Sequence, residues 1–370
     1  MRTLPPLFAF ALFELICAAA GHRVGIDPWR AVNRSRGDSG HYLSIAATGY
    51  ALSACPDQPA LWCGNAGWMP GYPLLLHALH GLGLNLRRAG LIASLTLGYG
   101  VLLWLWTRFL VALPKPRGLV VLSLAGVFPG AIYSHAVFPI SAFLVLAIAC
   151  LDALRCHRPR LAGVAGAAGA LTYATGVLMA PVAATFALRD AGIARARRWR
   201  NALGVTASIV SGFAAVLLFH AWTLGAWDAF FRVQSSYGHG FHDPLATLAV
   251  RLRSLVAGTP GVAQAAFAIW LPAAQSLWIL VWVLAIAGVA WAARRTPDAE
   301  SRLVSLYTLV FWFVPLVVGG GVALHRAEAL LLPSVVLGAR LPGWLLAVFL
   351  ATALLLTEPM CELFFRSALL

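Results

Sequence analysis

The chain has 370 residues, of which 61% are hydrophobic and only 11% are charged, whereas a soluble domain carries roughly 45–50% apolar and about 25% charged residues. Together with a mean hydropathy of +0.81, this excludes a soluble enzyme, a disordered chain and a disulfide-stapled secreted module. The net charge of +14 lies mostly in short basic clusters between apolar runs, which indicates membrane topology rather than a nucleic-acid partner. We therefore predict an all-α polytopic membrane protein, one domain over residues 1–370, with roughly nine to eleven spans.

The first apolar run, residues 4–20, follows Arg2 and has two interpretations. It resembles a signal peptide with a small-residue cleavage site at residues 18–20, or it is the first membrane helix. Glu14 within the run is costly in lipid unless it faces the helix bundle. Under either interpretation the next segment is exported. The composition is typical of a GC-rich bacterial genome, because Ala, Gly, Leu and Arg are abundant and Lys115 is the single lysine. It therefore predicts the inner (cytoplasmic) membrane.

Residues 21–69 form the longest polar stretch and are predicted to be a large first extracytoplasmic loop. Four arginines lie in it, although the positive-inside rule disfavours exported arginines. They are Arg23, Arg30, Arg34 and Arg36. We expect them either to hold phosphate or anionic lipid, or to make ordinary contacts with the membrane surface.

Five later basic clusters divide the rest of the chain into hairpins if all are cytoplasmic. They lie at 115–117, 155–160, 195–200, 294–295 and 340. The intervals then predict two short spans in 118–154. In 161–188 they predict a pair of half-helices, broken around 173–176 and at Pro181. In 201–293 they predict two spans and an outer loop of about 223–264, and in 303–339 they predict two spans with a turn at 325–328. Residues 71–86 are short for a span, and their crossing is left open.

Cysteines and histidines outside the long apolar runs allow a disulfide bond or metal sites. Cys55 and Cys63 are placed to form a disulfide across the exported loop, or they remain thiols. His77 and His80 share one helical face, as a zinc pair or as two interfacial histidines. The group at 239–243 allows a metal site, but its glycines indicate a flexible loop instead.

Residues 37–50, GDSGHYLSIAATGY, followed by WMPGYP at 68–73, resemble the first exoplasmic loop of the PIG-V-like mannosyltransferases, membrane glycosyltransferases of the GT-C fold. Further segments resemble that family in order: 128–138, 170–176, 231–238, and Arg326 with Pro333. The chain departs from the family at three positions, with Gly37 for Trp, His135 for Glu and Tyr173 for Arg. These departures predict a changed donor or substrate, or a non-catalytic homologue.

The resemblance implies inverting transfer of a sugar, most simply mannose, from a polyprenyl-phosphate donor to a lipid or glycan acceptor outside the membrane. Asp38 is the candidate base, with an N-cap of the following helix as its alternative. Arg326, beside His325, is the candidate phosphate ligand, with a charge reaching to the membrane interface as its alternative. The predicted substrate-binding residues are His41, Tyr42, His135, Tyr173, Gln234, His239, His242, His325 and Arg326.

No metal ligand set and no cofactor beyond the lipid-linked donor is predicted, and the divalent-metal requirement stays open. The expected partners are the donor, the acceptor and membrane lipids, without nucleic acid. The competing function is a transporter or flippase for a lipid-linked glycan. Transporters of that kind show internal repeats and mid-membrane polar residues in both halves, whereas here the polar residues collect on one predicted face.

Overall fold

The structure is a computed structural model that describes residues 3–189, 192–256, 263–293, 298–319 and 323–369. Its helices are, in chain order, α1 (Leu4–Arg23), α2 (Ser39–Thr48), α3 (Gly71–Gly81), α4 (Leu86–Trp104), α5 (Lys115–Gly126), α6 (Ile140–Arg155), α7 (Pro159–Thr172), α8 (Met179–Leu188), α9 (Arg195–Leu224), α10 (Ala229–Ser236), α11 (Pro244–Arg253), α12 (Ala263–Ala292), α13 (Ala299–Val318), α14 (Leu324–Ala327), α15 (Val335–Gly338) and α16 (Gly343–Phe365). A π-helical turn, Leu105–Phe109, extends α4, and 3-10 turns occupy Ala131–Ser134, Ala174–Leu178 and Glu328–Ser334. One antiparallel hairpin pairs β1 (Leu52–Ala54) with β2 (Trp62–Gly64).

Six helices among the described residues are long and apolar enough to cross a membrane. They are Leu4–Arg23, Leu86–Phe109, Arg195–Leu224, Ala268–Ala292, Ala299–Val318 and Gly343–Phe365. The prediction of a helical, multi-pass membrane protein is confirmed at this level. Helices α5 to α8 have 12, 16, 14 and 10 residues, short of the roughly 20 that a straight span needs. The total of nine to eleven spans therefore stays a prediction.

The first helix belongs to the core of the bundle. It packs against α16, α5 and α4, and it buries Ala9, Phe13 and Cys17. This packing favours a structural membrane helix over a signal peptide. Glu14 faces the interior, as the cost of a carboxylate in lipid requires, and it is only 6% exposed.

Three of the four loop arginines have carboxylate partners, and the expectation that they hold phosphate or lipid stays a prediction. Arg34 donates to Glu14 at 2.8 Å in a buried pair. Arg23 pairs with Glu358 and Glu362 on α16, and Arg30 pairs with Asp27. Arg34 is retained inside the protein because it neutralises the carboxylate that α1 carries into the bundle.

The predicted break between two half-helices is confirmed at Tyr173. Helix α7 ends there because the backbone turns extended (φ −145°, ψ 137°), and a 3-10 turn leads into α8. The predicted break at Pro181 is wrong. Pro181 lies in the first turn of α8, where its missing N–H removes no intrahelical hydrogen bond.

The prediction of two regular spans in 303–339 is also wrong for the second of them. After α13 the chain forms α14, a 3-10 turn containing Pro333, and α15. Leu330, Leu331 and Val335 in this segment are completely buried. Irregular backbone is tolerated at that depth because protein, not lipid, surrounds it.

Two segments contain helices: the stretch whose membrane crossing was left open, and the predicted second outer loop. Residues 71–81 form α3, an 11-residue helix that buries Tyr72 and Leu76. The predicted outer loop of about 223–264 contains α10 and α11. Its residues 257–262 and the basic cluster at 294–295 lie outside the described residues.

Candidate functional site

Asp38 and Arg326, which are far apart in the sequence, form an ion pair. Arg326 Nη1 donates to Asp38 Oδ2. Asp38 stands at the N-cap position of α2, but its side chain makes no capping hydrogen bond, so the N-cap alternative does not describe its role. The Asp38 and Arg326 side chains are 31% and 13% exposed. The pair is therefore accessible from one side, and we call its surroundings the Asp38–Arg326 site.

Three tyrosines surround this pair. Tyr42 on α2, Tyr133 in the 131–134 turn and Tyr173 at the α7 break lie within electrostatic reach of Arg326. The same three hydroxyls also lie within reach of Asp38. Tyr42 and Tyr133 are 4% and 1% exposed. The sequence pointed to Tyr42 and Tyr173, and the fold adds Tyr133 from a third element.

Aromatic and imidazole rings flank Asp38. The His41 ring stacks on Trp68 with centroids 3.5 Å apart, and Tyr237 meets Trp68 edge-on at 5.6 Å. Burial lowers the pKa of His41 below its usual value, and the nearby Asp38 carboxylate opposes that shift. His41 is therefore mostly neutral at pH 7, which suits a hydrogen-bonding role more than a phosphate counter-ion.

The second loop reaches the same site through His239. Backbone hydrogen bonds from Gly240 N to Val318 O (3.0 Å) and from His242 N to Val317 O (2.7 Å) hold the loop on the end of α13. Burial and the positive charge of Arg326 lower the pKa of His239. His239 thus lies within electrostatic reach of the Asp38–Arg326 site.

Among the described residues, three buried polar atoms beside the ion pair have no hydrogen-bond partner. They are Arg326 Nε, Tyr133 Oη and His325 Nε2. Buried polar groups in folded proteins are nearly always paired, and exceptions usually mark a place where water, an ion or a ligand belongs. Tyr133 and His325 lie within electrostatic reach of Arg326, so these three atoms indicate a binding site for a polar group.

The remaining predicted site residues have other partners. His135 Nδ1 lies 2.7 Å from Glu14 Oε1, with its ring against Phe13, so its side chain is engaged with α1. Gln234 Nε2 donates to Gly67 O at 2.6 Å and fastens the second loop to the first. The exposed His242 ring lies 3.0 Å from Gly238 O.

Sequence reasoning missed a polar cluster beside His325. Arg251 on α11 lies 3.4 Å from His325 Nδ1, and Gln275 on α12 donates to Glu328 Oε2 at 2.6 Å. No motif marks these residues. The sequence shows only that apolar stretches are interrupted by Arg251, Gln275 and Glu328.

Within the described residues, no group of three or more His, Cys, Asp or Glu side chains is placed to hold a metal ion. The Nδ1 atoms of His77 and His80 lie near different carbonyl oxygens, those of Ala46 and Leu84. Asp243 accepts from Leu245 N and caps α11, so it is not oriented as a ligand beside the loop histidines.

The proposed disulfide between Cys55 and Cys63 is present. It joins β1 to β2, with Ser53 opposite Cys63. The hairpin contacts α10 through a hydrogen bond from Trp62 N to Ser236 Oγ (3.0 Å). The disulfide therefore stabilises the contact between the two loops that contribute to the site.

Comparison with models of known protein families found no match, and comparison with curated proteins found no similar sequence.

Proposed function

We propose that this protein is a glycosyltransferase of the bacterial inner membrane. It transfers a sugar, mannose by the sequence resemblance, from a polyprenyl-phosphate donor to a lipid or glycan hydroxyl on the periplasmic face. The observation that carries the proposal is the pairing of Asp38 with Arg326 among buried phenols and unpaired polar atoms. A carboxylate beside a cation is the minimum equipment for this transfer, because one group removes a proton and the other receives a leaving phosphate.

In the proposed reaction the acceptor oxygen attacks the anomeric carbon of the donor sugar. Asp38 takes the acceptor's hydroxyl proton as the new carbon–oxygen bond forms. The bond between the anomeric carbon and the phosphate oxygen breaks, and that oxygen leaves with the electron pair. Arg326 stabilises the negative charge that grows on the phosphate. Attack opposite the leaving group inverts the anomeric centre.

The ion pair itself suggests an order of events. Without donor, the Arg326 guanidinium donates to the Asp38 carboxylate. A donor phosphate competes for the same guanidinium, whose Nε is unpartnered. Binding of the donor would then weaken the ion pair. As a result, Asp38 would be free to act as a base only when the donor sugar is bound.

A non-catalytic homologue is the second candidate function, and one observation favours it. The Asp38 carboxylate is already neutralised by Arg326, and His135, at a position where the family has Glu, is engaged with Glu14 instead. Such a protein would keep the ion pair as a structural contact and bind partners through the same face. The transporter alternative has no comparable support.

A donor panel tests the proposal. Membranes containing the wild-type protein are incubated with radiolabelled mannose or glucose on polyprenyl phosphate, or with the matching nucleotide sugar. We expect transfer from one of the polyprenyl-phosphate sugars and none from the nucleotide sugar when polyprenyl-phosphate synthesis is absent. Arg326→Gln, at equal protein level, should lower that transfer at least 100-fold. An absence of transfer from every lipid-linked donor would instead favour the non-catalytic homologue.

A further inference from the structure

We propose that Arg251 is a second ligand of the donor phosphate, acting together with His325 and Tyr133. The inference rests on the proposed function and deepens it, because it assigns the phosphate end of the donor to α11 and α14. The sugar end is then left to Asp38 and the rings of the two loops. Nothing in the sequence resemblance points to Arg251.

Tyr133 and His325 lie within electrostatic reach of both guanidinium groups. Arg326 and Arg251 both influence Tyr133, and both also influence His325. The Tyr133 and His325 rings lie 5.7 Å apart by their centroids. Two arginines thus share the surroundings of two buried rings, an arrangement that suits one anion contacted by both arginines.

The guanidinium of Arg251 is only weakly engaged by the protein. Its Nη2 lies 3.4 Å from His325 Nδ1, and its Nε lies 3.5 Å from Ser276 Oγ. Both distances exceed the 2.7–3.2 Å of a normal N–H bond. An arginine fork with free donors matches phosphate geometry better than any other side chain does.

Three buried polar atoms at this place have no hydrogen-bond partner among the described residues, namely His325 Nε2, the Tyr133 hydroxyl and Arg326 Nε. Arg326 Nε and the Tyr133 hydroxyl are donors, and His325 Nε2 is a donor in the tautomer whose Nδ1 is free to accept from Arg251. Tyr133 and His325 are only 1% and 2% exposed. A group that offers several acceptor oxygens and a negative charge satisfies all three, and a phosphate is such a group.

Glu328 offers the competing explanation of Arg251 as a simple counter-ion. Glu328 is fully enclosed and has Gln275 as its own partner at 2.6 Å, and it acts on Arg251 at longer range. Asp38 balances Arg326 in the same way. A phosphate would therefore add negative charge beside the two arginines while accepting from the three donors. A counter-ion role explains the charge of Arg251 but not the unpartnered donors.

The test measures binding of farnesyl phosphate to the purified full-length protein in detergent, by titration calorimetry, with farnesol as the probe without phosphate. Wild type should bind farnesyl phosphate more tightly than farnesol. Arg251→Gln should weaken farnesyl phosphate roughly 10- to 100-fold, as expected for a lost charged hydrogen bond, and leave farnesol unchanged. Arg251→Lys should lose less. Arg253→Gln, an exposed arginine on the same helix, is the matched control and should bind within about twofold of wild type.

The outcomes separate this inference from the proposed function. Equal farnesyl phosphate binding by wild type and Arg251→Gln, with weaker binding by Arg326→Gln, would overturn the role of Arg251 and leave the function standing. Wild type that prefers farnesol or binds both alike would overturn the phosphate-linked donor, and this inference with it. If Arg251→Gln fails to fold because Glu328 is left unbalanced, the Arg251→Gln, Glu328→Gln double variant restores neutrality. That variant should show the same loss for farnesyl phosphate.

Discussion

Asp38 and Arg326 are 288 positions apart in the chain, yet the guanidinium of one donates to the carboxylate of the other. Their pairing places the first loop against the irregular segment that follows α13. The Asp38 side chain makes no capping hydrogen bond to α2. An ion pair that is partly accessible and surrounded by unpartnered donors is better suited to exchange partners than to hold the fold.

The buried Glu14 network should determine the stability of the bundle. Glu14→Gln leaves Arg34 buried without its counter-charge, and breaking such a pair costs about 3–5 kcal/mol. We expect a clear drop in the melting temperature of the purified protein in detergent. Glu358→Gln is the control, since its partner Arg23 is 66% exposed and an exposed pair contributes less than about 1 kcal/mol. Equal melting temperatures for the two variants would contradict this role of Glu14.

Close packing of α7 on α9 should depend on individual glycines. A Cβ on Gly212 would lie 2.3 Å from the carbonyl oxygen of Ala167, whereas a Cβ on Gly204 would meet nothing within 4 Å. Gly212→Ala should therefore destabilise by roughly 1–3 kcal/mol through overpacking. Gly204→Ala on the same helix should be neutral or stabilise by up to about 1 kcal/mol. Thermal unfolding of both variants checks the difference, and a destabilised Gly204→Ala with an unaffected Gly212→Ala would refute the packing.

The stack of His41 on Trp68 should make stability fall in mild acid. Burial lowers the pKa of His41 below 6.5, so between the two pKa values the folded state binds fewer protons than the unfolded state. Stability is then lost as pH falls below 6.5, and the loss ends below the folded-state pKa. His41→Phe keeps a ring on Trp68 but cannot be protonated. Its melting temperature should decline less than that of wild type between pH 7.5 and 5, and equal declines would contradict the prediction.

Composition and the polar interruptions of apolar stretches predicted the helical membrane class and the break at Tyr173, and they left the disulfide as one of two alternatives. The predicted topology also placed Asp38, Arg326, Tyr173 and His239 on one face. Each depends on local chemistry, since apolar length selects membrane helices and the resemblance selected the loop carboxylate.

Contacts between residues that are distant in the chain could not be predicted. Glu14 on α1 contacts both Arg34 and His135, and no sequence pattern indicates these contacts. Pro181 was predicted to break the helix, but in the first turn of α8 its missing N–H removes no intrahelical hydrogen bond. Arg251 and Gln275 carry no motif, and only the packing of α11 and α12 beside α14 brings them to His325.

The most direct test of the account is a paired transfer assay of Asp38→Asn and Asp57→Asn. Both aspartates lie in the first loop, and both substitutions remove one carboxylate at nearly constant volume, but Asp57 is exposed and plays no part in the proposed site. At equal protein levels, Asp38→Asn should reduce sugar transfer from polyprenyl-phosphate sugar by at least 100-fold, as loss of a general base does, while Asp57→Asn keeps wild-type activity. Full activity of Asp38→Asn would contradict the central claim that Asp38 is the base.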